Sequence, residues 1–209
     1  VIEQTASDTD LREAANTVRD IMPDADLEVS DEGELPWTQR LDMTAAQADL
    51  GYEPTGDAAL CFSAVDSTDF EDAVDDVATI LEAGEVETGT QASFVQDDHG
   101  YDWVVLEDQN VEDLVTSIHF AADTLVESGF GSRLLAALFG FQKTDTPVYW
   151  VYSFRRGAYY PFAPTGSHER DNSAEFKLES VLDGELDVEP EKEYWYPYWP
   201  RDAGAHPWE

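Results

Sequence analysis

Apolar positions along the chain switch between helical and strand periods, and the order of the switches predicts an α+β fold. Leu11, Ala15, Val18, Ile21 and Met22 recur at helical spacing after Asp8, and Pro23 stops the run. The acidic stretch 24–34 reads as a solvated linker, and Thr44 caps a short helix that Gly51 ends. An apolar run predicts a strand over 58–65. In the helix that follows, Thr68 and Glu71 stand in capping-box spacing, Phe70, Val74, Val77 and Leu81 share a face, and Gly84 lies past the end. Segments 92–96 and 101–107 predict two strands around Asp97-Asp98-His99-Gly100. Asn110 caps a helix bearing Leu114, Ile118, Ala122 and Leu125, closed by Gly129. A strand over 133–142 comes next, then a hairpin of 147–155 and 158–162 around Arg156-Gly157. Asn172 opens a last helix with Phe176, Val181 and Leu182, ended by Gly184.

From residue 58 the order is β-α-β-β-α-β, then β-β-α. The first six elements follow a ferredoxin-like split βαβ arrangement. With the hairpin beside the fourth strand and the C-terminal helix, this predicts a mainly antiparallel sheet of about six strands. Three regions follow: an N-terminal helical and acidic segment (1–50), an α+β core (51–190), and an acidic-aromatic tail (191–209). In the first strand of the hairpin, Val148, Trp150, Tyr152 and Phe154 share one face while Tyr149 and Val151 share the other. Strands apolar on both faces are covered on both. Ferredoxin-type helices cover one face, so the other requires the aromatic tail, the N-terminal helix or another chain. Tyr194, Trp195, Tyr196, Tyr198 and Trp199 crowd the tail, and Pro197 and Pro200 keep it from forming a helix. It is either a strap across its own sheet or an arm reaching a second protomer or a partner.

Charge narrows the function classes. The 209 residues include 46 Asp and Glu against 11 Lys and Arg, a net charge of -35. Such a chain repels itself in dilute buffer, whereas in about 1 M salt the Debye length falls to roughly 3 Å. The composition therefore points to a protein of salt-loaded cytoplasm. A disordered acidic tail is the rival reading, and 42% hydrophobic content with acids spread along the whole chain argues against it. Nucleic acid and anionic lipid are poor partners for this surface, since binding them rests on Lys and Arg. The single cysteine, Cys61, excludes an internal disulfide and a CxxC-type zinc site and reads as buried filler. No run reaches the roughly 18 apolar residues of a membrane span. The expected location is cytoplasmic, although the first residue, Val1, leaves room for a removed leader.

Chemistry-bearing motifs are few. There is no phosphate-binding GxxxxGK[ST] loop, no HExxH and no GxSxG elbow, and Gly129-Phe130-Gly131 lacks the third glycine of a dinucleotide fingerprint. Asp24-Ala25-Asp26 opens like a calcium loop but has Val29 and Leu35 where Gly and Glu are needed. No metal or cofactor is expected. The four histidines have no ligand spacing. His119 borders an apolar helical stripe, where a partly buried structural role outweighs a ligand or base. Arg155 and Arg156, followed by Tyr159 and Tyr160, could bind a small anion or a partner's carboxylate; the competing reading is structural bridging to nearby acids.

Several stretches resemble the PspAB family of PspA-associated proteins. They are Gly129-Phe130-Gly131 through Leu134-Leu135-Ala136-Ala137, Val151 through Pro164 with its Phe154-Arg155-Arg156-Gly157-Ala158-Tyr159-Tyr160-Pro161-Phe162 centre, Glu169-Arg170-Asp171, and the Trp195 to Trp199 tail. The segment from Tyr101-Asp102-Trp103 into Ser117-Ile118-His119 is similar too. The resemblance runs from about Gly51 to Trp199 and implies association with PspA, a membrane-remodelling coiled-coil protein of envelope-stress responses. It carries over no catalytic residues. The expected function is that of a non-enzymatic interaction protein in a halophilic archaeon, able to self-associate, with Trp195 and Trp199 joining the arginines as candidate partner contacts. The alternative is a ligand-binding protein or enzyme using Arg155, Arg156, Tyr160 and His119, which requires a concave pocket joining all four.

Overall fold

The computed structural model describes residues 50–144, 146–166, 168–182, 186–202 and 204–209. The helix expected over 8–22, the linker over 24–34 and nearly all of the short helix over 44–51 lie outside the described residues. The elements are β1 (Glu53–Ser63), α1 (Thr68–Thr88), β2 (Gln91–Gln96), β3 (Tyr101–Glu107), α2 (Val111–Glu127), β4 (Leu134–Lys143), β5 (Thr146–Ser153), β6 (Ala158–Phe162) and α3 (Asn172–Leu182). They form a six-stranded sheet in the order β2-β3-β1-β4-β5-β6, every neighbouring pair antiparallel. The first four strands take the ferredoxin-like order, and the β5–β6 hairpin extends the sheet beside β4. The fold is α+β, as the element order predicts.

Strand alternation splits the core in two. Ala58, Leu60 and Phe62 of β1, Val104 and Leu106 of β3, and Val148, Trp150 and Tyr152 of β5 point into a core shared with α1, α2 and Leu178 of α3. The intervening residues face the other way: Ala59 and Cys61, Trp103 and Val105, Tyr149 and Val151, Tyr160 and Phe162. The C-terminal residues cover this second face, burying Trp195 and Trp208 against it with Tyr198 and Trp199 alongside. The strap reading is the one the fold adopts.

Several boundaries differ from the sequence expectation. The N-cap of α1 is Ser67, one residue before the expected Thr68; its side chain accepts from the Phe70 amide at 3.3 Å. Helix α1 also runs through Gly84, because it is Gly89 that adopts the left-handed conformation (φ 86°) and donates its N–H to the Glu85 carbonyl at 2.8 Å. β1 starts five residues before its apolar run, passing through a register shift between Pro54 and Ala58 where Gly56 has φ 90°. Arg133 belongs to a short 3-10 turn, Gly131–Arg133, ahead of β4. In α3, Phe176 is 48% exposed whereas Leu178 is buried. The Leu182 side chain and Gly184 lie outside the described residues. Asp171, one residue before the expected Asn172, caps this helix by accepting from the Ala174 amide at 3.0 Å.

No described helix is long and apolar enough to cross a membrane.

Candidate functional site

The strap is fastened where β6, α3 and the tail meet. Glu175 of α3 is 2% exposed, and its Oε1 accepts from the Ala163 amide at 2.9 Å and from Arg170 Nε at 2.8 Å. The same guanidinium donates through Nη1 to the Trp195 carbonyl (2.7 Å) and through Nη2 to the Pro161 carbonyl (3.3 Å). Burial pushes the Glu175 carboxyl above its usual range, while the Ala163 amide and Arg170 pull it back in part. Trp195 donates its indole N–H to the Glu189 carbonyl at 2.8 Å and stacks on Tyr160 with ring centres 6.2 Å apart.

The sequence-derived candidates divide around this junction. Arg156 pairs with Glu189 (Nε to Oε2, 2.7 Å) and lies over the Tyr194 ring at 3.9 Å, which raises its already high pKa chiefly through the Glu189 hydrogen bond. Such bridging to a nearby acid is what the structural reading above describes. Arg155 is exposed. Tyr160 is buried on the strap side and donates to the Tyr196 carbonyl at 2.9 Å; burial drives its phenol pKa upward, with Arg170 opposing. Trp199 packs edge-on against Phe162, centres 5.4 Å apart. Tyr160, Trp195 and Trp199 are thus brought together, with Arg156 at the margin. His119 is not among them. It lies half-buried on α2, whose apolar face packs on the opposite side of the sheet, and burial lowers its pKa from 6.5. The pocket that would join Arg155, Arg156, Tyr160 and His119 is therefore not assembled.

Sequence reasoning missed Arg170 as an organising residue, although Glu169-Arg170-Asp171 carried part of the family resemblance. A usable signal was present: one Arg in the short loop between the last strand and a helix whose first turn carries Glu175.

Among the described residues, concavities lie on either side of the β2–β3 end of the sheet. A cleft of about 620 Å³ opens beside the strap, lined by Tyr196, Tyr198, Trp199, His168 and the β2–β3 turn, where Arg201 pairs with Asp98. A groove of about 450 Å³ lies between α1 and β2. Among the described residues, no cluster of His, Cys, Asp and Glu is arranged to hold a metal ion.

Against known families, residues 37–208 match the model of PspA associated protein B. The chain belongs to the PspAB family. The PspAB match takes in every strand and helix among the described residues and most of the strap, so sheet and cover fall within a single family unit. No curated protein and no solved structure matches the chain.

Proposed function

We propose that this PspAB-family chain is a non-enzymatic interaction protein of a PspA-based envelope-stress system, working through a protein surface in the salt-rich cytoplasm of a halophilic archaeon. The family match over residues 37–208 carries the reading, since the family's description is one of association with PspA. The geometry around the candidates favours it further. Arg156 and Tyr160 are spent on intramolecular contacts that hold the strap, which leaves the surface for a partner. The excess of carboxylates supports a salt-rich setting, where screening removes the repulsion among them. Affinity purification of the tagged chain from salt-grown cells, read by mass spectrometry, tests the reading. A PspA-type protein enriched over a tag-only control is the expected result, and its absence across a range of wash salts overturns the proposal.

A ligand-binding reading draws on the cleft beside the strap, whose Tyr196, Tyr198 and Trp199 offer stacking surface. Tryptophan fluorescence titrated with aromatic and carboxylate ligands distinguishes it. Saturable quenching supports a small-molecule site, and a flat response through millimolar concentrations retires it.

A further inference from the structure

The two edges of the sheet are treated differently. At β6 the chain covers its own edge: the Tyr159 amide donates to the Asp187 carbonyl and the Glu189 amide to the Tyr159 carbonyl, both at 2.8 Å. At the other edge, β2 has β3 as its strand neighbour, and all six of its residues are exposed. Native edge strands are usually guarded by charge, proline or a bulge. β2 reads Gln-Ala-Ser-Phe-Val-Gln, with no charge and no proline, in a chain whose net charge is -35. Phe94 and Val95 are 40% and 37% exposed and point to opposite faces, opposite Val104 and Trp103 of β3. The groove between α1 and β2 is floored by Phe70, Val74 and Phe94 and rimmed by Glu71 and Asp75.

The surroundings of this edge have one sign. No Lys or Arg occurs between Arg40 and Arg133, so β1, α1, β3 and α2 carry carboxylates without a single Lys or Arg of their own, and β2 between them is uncharged. The strap's Arg201 reaches Asp98 at the far end of β2. A second copy docked edge to edge would press two such surfaces into direct contact, at separations comparable to a Debye length of roughly 3 Å, where like charge still opposes docking.

We propose that the edge of β2, which pairs with no second strand among the described residues, receives an extended segment of a partner protein as an added strand, and that this segment carries Lys or Arg among apolar side chains. Main-chain hydrogen bonds along β2 supply affinity. Apolar side chains enter the groove against Phe94 and Val74, and cationic ones meet Glu71 and Asp75. The proposal rests on the interaction-protein reading and names the partner chemistry that reading leaves open.

A capped, labelled peptide repeating Val-Thr-Lys-Thr, so that one strand face carries both Val and Lys, is the probe, used with the full chain at the lowest salt that leaves its melting curve intact. Saturable binding is expected, with amide resonances of β2 moving most. Val95→Lys should weaken binding about tenfold or more, as should Glu71→Gln combined with Asp75→Asn, which leaves β2 untouched. The exposure of these three side chains lets both variants fold, and a melting curve checks it. A peptide N-methylated at alternate residues, or one with Glu for Lys, should not bind. Equal binding by either control, resonance shifts away from β2, or a dimer of the free chain that Val95→Lys dissociates would overturn the proposal. Purification of the Val95→Lys chain separates this from the function above. A PspA-type protein retained by that variant leaves the interaction reading standing without the β2 site. Peptide binding at β2 by a wild-type chain that captures no PspA-type protein does the reverse.

Discussion

Arg170 holds three parts of the molecule with one guanidinium: the buried Glu175 on α3, the Pro161 carbonyl on β6 and the Trp195 carbonyl of the strap. Removing it strands a buried carboxylate, a change that typically costs about 3–5 kcal/mol. Arg170→Met should therefore lower the urea midpoint sharply and red-shift the tryptophan emission as Trp195 gains water. Adding Glu175→Leu should restore part of the loss: it removes the stranded carboxylate but leaves the buried Ala163 amide without its acceptor. His119 gives a pH signature. Burial lowers its pKa in the folded state, so the unfolded chain takes up a proton first as pH falls past the ordinary value of 6.5. The stability that depends on neutral His119 is complete above 6.5 and drains away from there down to the lowered folded value. His119→Gln should flatten the decline of the thermal midpoint as pH falls below 6.5.

In α1 two glycines of similar appearance do opposite work. Gly84 lies mid-helix with open space where a Cβ would go, while Gly89 holds the left-handed turn. Gly84→Ala should stabilise the protein by about 0.5–1 kcal/mol and Gly89→Ala should destabilise it, both readable in thermal melts. The same pair shows what the sequence could and could not say. Apolar spacing located every strand and helix of the sheet, because alternation and the 3.6-residue period survive any tertiary context. The end of α1 was misplaced because which glycine takes positive φ depends on where β2 must begin. The start of β1 was missed because Pro54 and Gly56 read locally as loop, and only pairing with β4 makes them strand. At the candidate site, the aromatic strap was legible as surface in need of cover. Its fastening was not, since Arg170, Glu175 and Trp195 are brought together by the chain path and share no local pattern.

Taken whole, the molecule depends on its cover and on its solvent. Truncation after Pro190 removes Trp195 and Trp208, and losing a buried Trp typically costs about 3–5 kcal/mol. Two such losses approach the entire stability of a typical domain, about 5–15 kcal/mol. The truncated chain should aggregate or melt far below the full chain, as size-exclusion chromatography and thermal scans would show. A truncated protein that stays monomeric and equally stable yet loses its partner would make the tail an interaction arm instead. The charge of -35 leads to a further expectation: the thermal midpoint should climb between about 0.1 M and about 3 M potassium chloride as repulsion is screened. A constant midpoint would remove the salt-adapted reading. The strap's place in the chain also bears on biosynthesis. Translation finishes the second face of the sheet with Phe162, but the residues that cover it include Trp195 and Trp208. Until those emerge from the ribosome, the nascent protein presents Tyr149, Val151, Tyr160 and Phe162 to solvent, an interval in which chaperones or neighbouring nascent chains compete for the place the strap will take.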